Sequence, residues 1–169
     1  MFQIRPENSH SAEELAAIRA LNEAAFGAPL EADLVDNLRA GGHVLLSLVA
    51  HIDDEIVGHI LFTRMWIDGP PESLPAVSLA PVAVMPGHQR RGIGSQLVQE
   101  GIDFMRRREE SIMFVLGHPD YYPKFGFSAA LAAQVESPFP GNDYMAMELK
   151  PGALAGVTGR VRYPEPFGL

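Results

Sequence analysis

No cysteine occurs in the 169 residues. That absence excludes a disulfide framework, a thiolate metal site and a cysteine nucleophile. Long apolar runs are also missing, and none approaches the ~20 residues needed to cross a bilayer. The opening residues, Met1-Phe2-Gln3-Ile4-Arg5-Pro6, have neither the basic region nor the apolar core of a secretory signal, so a cytoplasmic location is expected. Positive charge is scarce: 13 Lys and Arg stand against 21 Asp and Glu, a net charge of −8. This balance argues against general nucleic-acid binding. It also means that an anionic ligand must be caught by local positive groups, not by the field of the whole protein. An acidic chain suits a cationic or amine-bearing substrate. No His, Asp or Glu cluster has the spacing of a metal site.

What is present is ordinary for a folded domain: 47% hydrophobic and 20% charged residues, in a chain long enough for one domain with a sizeable core. Phe2 to Arg5 reads as a short first strand. Ser11 followed by Glu14 is a capping-box signature, and Leu15, Ile18, Leu21 and Ala25 then recur at helical spacing until Gly27. A second helix is expected over Leu30 to Ala40, with Leu34, Val35 and Leu38 on its apolar face and Gly41-Gly42 as the stop. Its acidic residues Glu31, Asp33 and Asp36 read as a solvated face. Val44 to His51 and Glu55 to Trp66 flank Asp53-Asp54 as a hairpin. Gly58 within the second of these strands marks a bulge or a close approach.

Asp68 to Pro75 is loop in composition, and Val77 to Val84 is the next strand. Pro81 has no N–H to give to a ladder, so the strand must be unpaired or bulged there. The side chains of Val82 and Val84 are assigned to the core. A helix is expected from Ser95 to Arg108, with Ile93, Leu97, Val98, Ile102 and Met105 as its apolar stripe and a solvated Arg106-Arg107-Arg108 at its end. Ile112 to Leu116 reads as a buried strand and Tyr144 to Leu149 as a late one. Arg160 to Tyr163 is either an edge strand or a packed tail.

The informative stretch joins the strand ending at Val84 to the helix beginning near Ser95. Gln89-Arg90-Arg91-Gly92-Ile93-Gly94 places two arginines and two glycines where a helix N-terminus exposes unpaired N–H groups. That combination suits a phosphate. The P-loop fingerprint fails because no Lys-Ser or Lys-Thr follows the glycines. The dinucleotide fingerprint fails because Leu97 stands where its third glycine belongs. The Gln/Arg-x-x-Gly-x-Gly/Ala pattern is matched at every fixed position.

That pattern resembles the pyrophosphate loop of the GNAT superfamily of acyl-CoA N-acyltransferases. A second stretch, Gly117-His118-Pro119-Asp120-Tyr121-Tyr122-Pro123-Lys124-Phe125-Gly126-Phe127, carries the Tyr four residues before Gly-Phe that is common in the family. It is similar to a bacterial subgroup with Leu-Gly-x-Pro-x-Tyr-Tyr-x-x-Phe-Gly-Phe. The resemblance spans about residues 1–150. It implies a mixed α/β GNAT fold with a central, mostly antiparallel sheet splayed between its fourth and fifth strands. Residues 151–169 would be a C-terminal extension packed on the same domain. The cosubstrate implied is acetyl-CoA, with no metal. Its pantetheine arm would bond to the backbone of Val82, Ala83 and Val84, and its pyrophosphate would lie on Gln89, Arg90, Arg91, Gly92, Ile93, Gly94 and Ser95.

The resemblance implies that Tyr122 contacts the cofactor and serves as general acid or hydrogen-bond donor to the leaving sulfur, with Tyr121 as its alternate. With ordinary pKa values of about 10 for the phenol and 8.5 for the thiol, full proton transfer is uphill by roughly 2 kcal/mol, so a hydrogen bond is the safer role. Many family members carry a base Glu before the loop. Val77-Ser78-Leu79-Ala80 offers no carboxylate, which leaves His59, His118 or a water chain as base. The family's frequent Asn ahead of the Tyr motif has no counterpart in Gly117-His118-Pro119. The reaction implied is acetyl transfer to a primary amine by direct attack. A non-catalytic acyl-CoA-binding module is the alternative, and another acyl donor or an O-linked acceptor on the same scaffold is a third reading. Small metabolite, antibiotic, peptide N-terminus and protein lysine all stay open as acceptor, and the resemblance admits a homodimer.

Overall fold

The first strand, β1 (Gln3–Pro6), pairs antiparallel with β2 (Val44–Ile52), with Gln3 opposite His51 and Pro6 opposite Leu48. Residues Met1–Leu169 are all described in this computed structural model. They divide into two compact units. One comprises 1–62 and 81–101, the other 63–80 and 102–169.

In the first unit, α1 (Ala12–Phe26) starts where the Ser11–Glu14 pair predicts it. Only half of the capping box forms. Ser11 Oγ accepts from the Glu14 amide at 3.1 Å, but the Glu14 carboxylate turns instead to the Arg5 guanidinium (2.7 and 3.0 Å) and to the Asn8 amide (2.5 Å). The carboxylate is drawn to the full charge nearby, and the Ser11 amide that the box would have satisfied donates to the Asn8 carbonyl at 3.1 Å instead. Gly27, at φ 73°, ends the helix in the left-handed region and donates to the Glu23 carbonyl. Next comes α2 (Leu30–Ala40), with Ala32, Val35 and Leu38 buried and Leu34 only half-buried. Its acidic face is not simply solvated, because Arg19 bridges to Asp33 at 2.8 Å and to Asp36 at 2.7 Å.

The hairpin from β2 to β3 (Glu55–Asp68) turns at Asp53, which takes a positive φ. Gly58 marks a close approach. A Cβ there would stand 2.8 Å from Ile93 Cγ2 and 3.1 Å from Leu97 Cδ1, so a helix sits directly on the strand. That helix is α3 (Ile93–Arg107), two residues longer at its start than Ser95 predicts. Its stripe of Ile93, Leu97, Val98, Ile102 and Met105 is buried throughout.

In the second unit, β5 (Ile112–Leu116) pairs antiparallel with β6 (Tyr144–Glu148) along its whole length. It runs parallel to β4 (Leu74–Val84), in register at Val77↔Met113 and Ser78↔Phe114. That parallel register lies ahead of Pro81, whose missing N–H it therefore does not require. β4 begins earlier than expected because Leu74 packs on the core cluster built around Met65, Phe114, Tyr144 and Leu154. Phe114 stacks on Tyr144 at 5.3 Å, and the Tyr144 hydroxyl meets that of Tyr163 at 2.7 Å. Of the two readings for Arg160 to Tyr163, the edge strand is the one found: β7 (Arg160–Arg162) pairs antiparallel with the end of β3. One short helix went unanticipated, α4 (Ala129–Ala132), capped by Ser128 on the Leu131 amide. The strands form one mixed seven-stranded sheet in the order β1-β2-β3-β4-β5-β6, with β7 on β3.

Candidate active site

The loop after β4 is shaped by its own backbone. The Met85 amide donates to the Val57 carbonyl at 2.8 Å, which fixes where the strand ends. A single 3-10 turn, Pro86–His88, redirects the chain, and the Gln89 side chain then donates back to the Val84 carbonyl at 3.1 Å. Gln89 thus spends its amide nitrogen on bracing the loop. Arg90 (φ 65°) and Gly92 (φ 83°) are both left-handed, and alternation of this kind turns successive N–H groups to one side, as in an anion-binding nest.

Gly92 tolerates that conformation at no steric cost, and no atom lies within 4 Å of where its Cβ would be. The space above the loop is open. The first bond of the α3 ladder at this end runs from the Gln96 amide to the Gly92 carbonyl at 3.0 Å, so the amides of Ile93 and Gly94 precede the ladder. The guanidinium-bearing residues Arg90 and Arg91 are exposed. Geometry, charge and helix dipole all suit an anionic ligand at this point.

The strand leading into the loop alternates, but in the opposite phase to the one expected. Ala83 is the buried residue, with Leu79 and Pro81 on the same face, whereas Val82 and Val84 are half-buried. The period of two puts every second residue of β4 inward, and Pro81 shares that inward face. The assignment of the Val82 and Val84 side chains to the core is therefore corrected.

Tyr122 opens a 3-10 turn, Tyr122–Phe125, directly after β5 and a short loop. Its amide and that of Tyr121 both donate to the His118 carbonyl, at 3.3 and 3.1 Å, so His118 and Tyr122 are brought together. The Tyr122 ring is held edge-on by Tyr121 at 5.0 Å and by Phe127 at 5.8 Å. Gly126, at φ 111°, lets the chain reverse so that Phe127 reaches the core. Burial, with Tyr121 adding to it, pushes the Tyr122 phenol up to about 12. The phenol therefore keeps its proton at neutral pH and is a donor. Tyr121, its neighbour in sequence, lies under the Lys124 ammonium at 4.0 Å.

The two histidines have opposite settings. His118 is exposed. His59 is fully buried in β3, and burial, reinforced by the Arg39 charge, lowers its pKa to about 3. Both ring nitrogens of His59 are engaged: Nε2 meets Ser47 Oγ at 2.9 Å, and Nδ1 meets Asn22 Nδ2 at 3.3 Å. The protons can be assigned from the end of the chain. The Glu7 carboxylate, paired with Arg39 at 2.7 Å, only accepts, so the Ser47 hydroxyl donates to it at 2.5 Å. Ser47 Oγ then accepts from His59 Nε2–H, and bare Nδ1 accepts from Asn22, whose other N–H goes to the Ile18 carbonyl at 3.0 Å. A neutral imidazole is locked in place. A general base works best with a pKa near the operating pH, so this setting weighs against His59 as the base.

Sequence reasoning did not anticipate that network, because Glu7, Asn22, Arg39, Ser47 and His59 share no spacing. The usable signal was a lone His in an apolar strand, which must find partners when buried. It also passed over Gly117 as a site residue. A Cβ at Gly117 would lie 2.3 Å from Tyr122 Cε2.

No helix is long and apolar enough to cross a membrane. Comparison with known proteins adds five findings. A sequence model described as an acetyltransferase (GNAT) domain matches residues 8–130. The uncharacterized N-acetyltransferase YhbS of Escherichia coli (strain K12) is 35% identical over 153 residues, covering 89% of this chain and 90% of that one. A second protein of the same strain, the uncharacterized N-acetyltransferase YjhQ, is 36% identical over 157 residues, covering 88% and 86%. Among solved structures, E. coli YhbS in complex with CoA superimposes with a TM-score of 0.88 at 33% identity, over 99% of this chain and 92% of that one. A GNAT family acetyltransferase from Brucella melitensis in complex with acetyl-CoA gives 0.81 at 31% identity, over 99% and 98%.

Proposed function

Because the chain belongs to the GNAT acetyltransferase family, we propose that it transfers the acetyl group of acetyl-CoA to a primary amine by direct attack in a ternary complex. The observation that carries this reading is the loop from Gln89 to Ser95. Its left-handed Arg90 and Gly92 and the open space above Gly92 stand at the head of a helix. The two similar proteins solved with CoA and acetyl-CoA support the same ligand class.

Bound acetyl-CoA supplies a thioester, whose carbonyl carbon accepts the amine's lone pair as the C–S bond breaks and an amide forms. The remaining roles belong to this chain. Backbone amides of the loop, Gly92, Ile93, Gly94 and Ser95 among them, hold the pyrophosphate with Arg90 and Arg91, while Gln89 braces the turn. The backbone of Val82, Ala83 and Val84 carries the pantetheine arm and polarises the carbonyl. Tyr122 directs its O–H at the departing sulfur. With the phenol at about 12 and a thiol near ~8.5, complete transfer is uphill by roughly 5 kcal/mol, so Tyr122 acts by hydrogen bond and the thiolate takes its proton from water. Exposed His118, directly or through water, takes the proton that the amine sheds. Positioning supplies a further part of the acceleration, up to about 7–11 kcal/mol in the best model reactions.

We read the enzyme as cytoplasmic, acting as a monomer or homodimer, with residues 151–169 as a structural extension of the domain. The test is free-thiol release from acetyl-CoA over a panel of primary amines. Turnover that falls in Tyr122→Phe with cofactor affinity retained supports the enzyme. Tight cofactor binding without turnover on any amine favours a binding module. Gly92→Asp places bulk and charge at the pyrophosphate and is expected to abolish binding; calorimetry showing undiminished affinity would overturn the loop assignment.

A further inference from the structure

We propose that Gly117 is a positioning residue for Tyr122: the lack of a side chain at 117 sets the plane of the phenol ring and thereby the aim of its hydroxyl. The inference rests on the role given to Tyr122 above.

A Cβ on Gly117 would stand 2.3 Å from Tyr122 Cε2, 2.8 Å from Cδ2 and 3.3 Å from Cζ. Non-bonded carbons are comfortable at about 3.5–4.0 Å, so the ring rests directly against the glycine backbone, on the side that leads to the hydroxyl. Gly117 is not among the glycines with positive φ, so it is required for space and not for its backbone conformation.

Neither side of this contact can move away as a body. The Gly117 amide donates to the Asp143 carbonyl at 2.9 Å, and Leu116 before it is paired with Tyr144, which pins the backbone to the strand end. On the other side, the ring has Phe127 edge-on at 5.8 Å and Tyr121 edge-on at 5.0 Å. Phe127 is itself buried. An added methyl must therefore be met by rotation of the Tyr122 ring. Such a rotation moves the hydroxyl, whose hydrogen bond depends steeply on angle and distance.

The readout is the tyrosine ring itself. Protein labelled with ε-carbon-13 tyrosine is titrated with CoA and with desulfo-CoA, and the Tyr122 signal is assigned by its loss in Tyr122→Phe. In the wild type the Tyr122 signal is expected to move further with CoA than with desulfo-CoA, because only CoA carries the sulfur. In Gly117→Ala the signal is expected to be displaced before any ligand is added. The difference between the two ligands should be lost, while both still bind within about threefold of wild type, a change of under ~1 kcal/mol. If the wild type responds alike to both ligands, the role of Tyr122 is wrong. If the wild type discriminates and Gly117→Ala discriminates equally, Tyr122 keeps its role and the proposal for Gly117 is overturned. Should Gly117→Ala fail to fold, the double variant Gly117→Ala/Tyr122→Leu is expected to fold, since the clash is with the ring; a double variant that stays unfolded also overturns the proposal.

Discussion

His59 should make this protein acid-sensitive in a calculable way. Its imidazole is buried and neutral in the native state with a pKa of about 3, while in the unfolded chain it returns to the ordinary 6.5. Between those values the unfolded state binds one more proton than the native state. Stability is therefore fully present above about pH 6.5 and is lost as pH falls, by up to ~1.4 kcal/mol per pH unit. From pH 7.5 to 5.0 the loss is about 2 kcal/mol, a figure set by the unfolded pKa and hardly at all by the folded one. For a chain of this size, that corresponds to a drop of roughly 5–6 °C in Tm. The assay compares wild type with His59→Gln by denaturant or thermal unfolding at the two pH values. Carboxylates paired with arginine, such as Glu14 with Arg5 and Asp68 with Arg162, have lowered pKa values and contribute equally to both proteins. The difference in pH dependence thus isolates position 59. Parallel pH profiles for the two proteins would refute the neutral, locked imidazole and reopen His59 as a titrating base.

Other consequences follow from single contacts. Arg64 holds Glu110 through two hydrogen bonds (2.6 and 2.9 Å) and also donates to the Ala76 carbonyl, all partly buried. Glu110→Ala leaves that guanidinium without its anion, and urea unfolding should show a loss of about 1–3 kcal/mol. Gly58→Val forces a branched side chain against Ile93 and Leu97, costing about 1–3 kcal/mol by the same measurement. Arg90→Ala and Arg91→Ala should each weaken CoA binding, more at low salt than at high, because both side chains are exposed and screened; calorimetry at two ionic strengths checks this. Tyr122→Phe should lower kcat by about 10–100-fold with cofactor affinity nearly unchanged, as expected for a donor used only as the sulfur leaves.

The parts of this molecule that could be read from sequence are those fixed by short-range rules. The span of α2, the stripe on α3 and the limits of β5 all follow from periodicity plus glycine stops, and each was placed to within about two residues, the usual uncertainty of such boundaries. The shape of the loop from Gln89 to Ser95 was legible for a similar reason: a helix start, two glycines and two arginines are consecutive, so chain order and spatial order coincide. What escaped was whatever depends on competition or on distant partners. The Ser11–Glu14 signature correctly located a helix start yet mispredicted the carboxylate's partner, because Arg5 reaches it from β1. The phase of Val82 and Val84 could not be read from an all-apolar run, in which alternation leaves no trace; only pairing decides which face turns inward. The same limit governs catalysis. A histidine at position 59 and one at 118 look alike as letters, yet one is walled in by Ser47 and Asn22 and the other stands in solvent. Desolvation separates their chemistry, and desolvation is a property of the packed chain. A base in this protein has to be sought among residues that keep contact with water, which favours His118 or an ordered water over any group in the core.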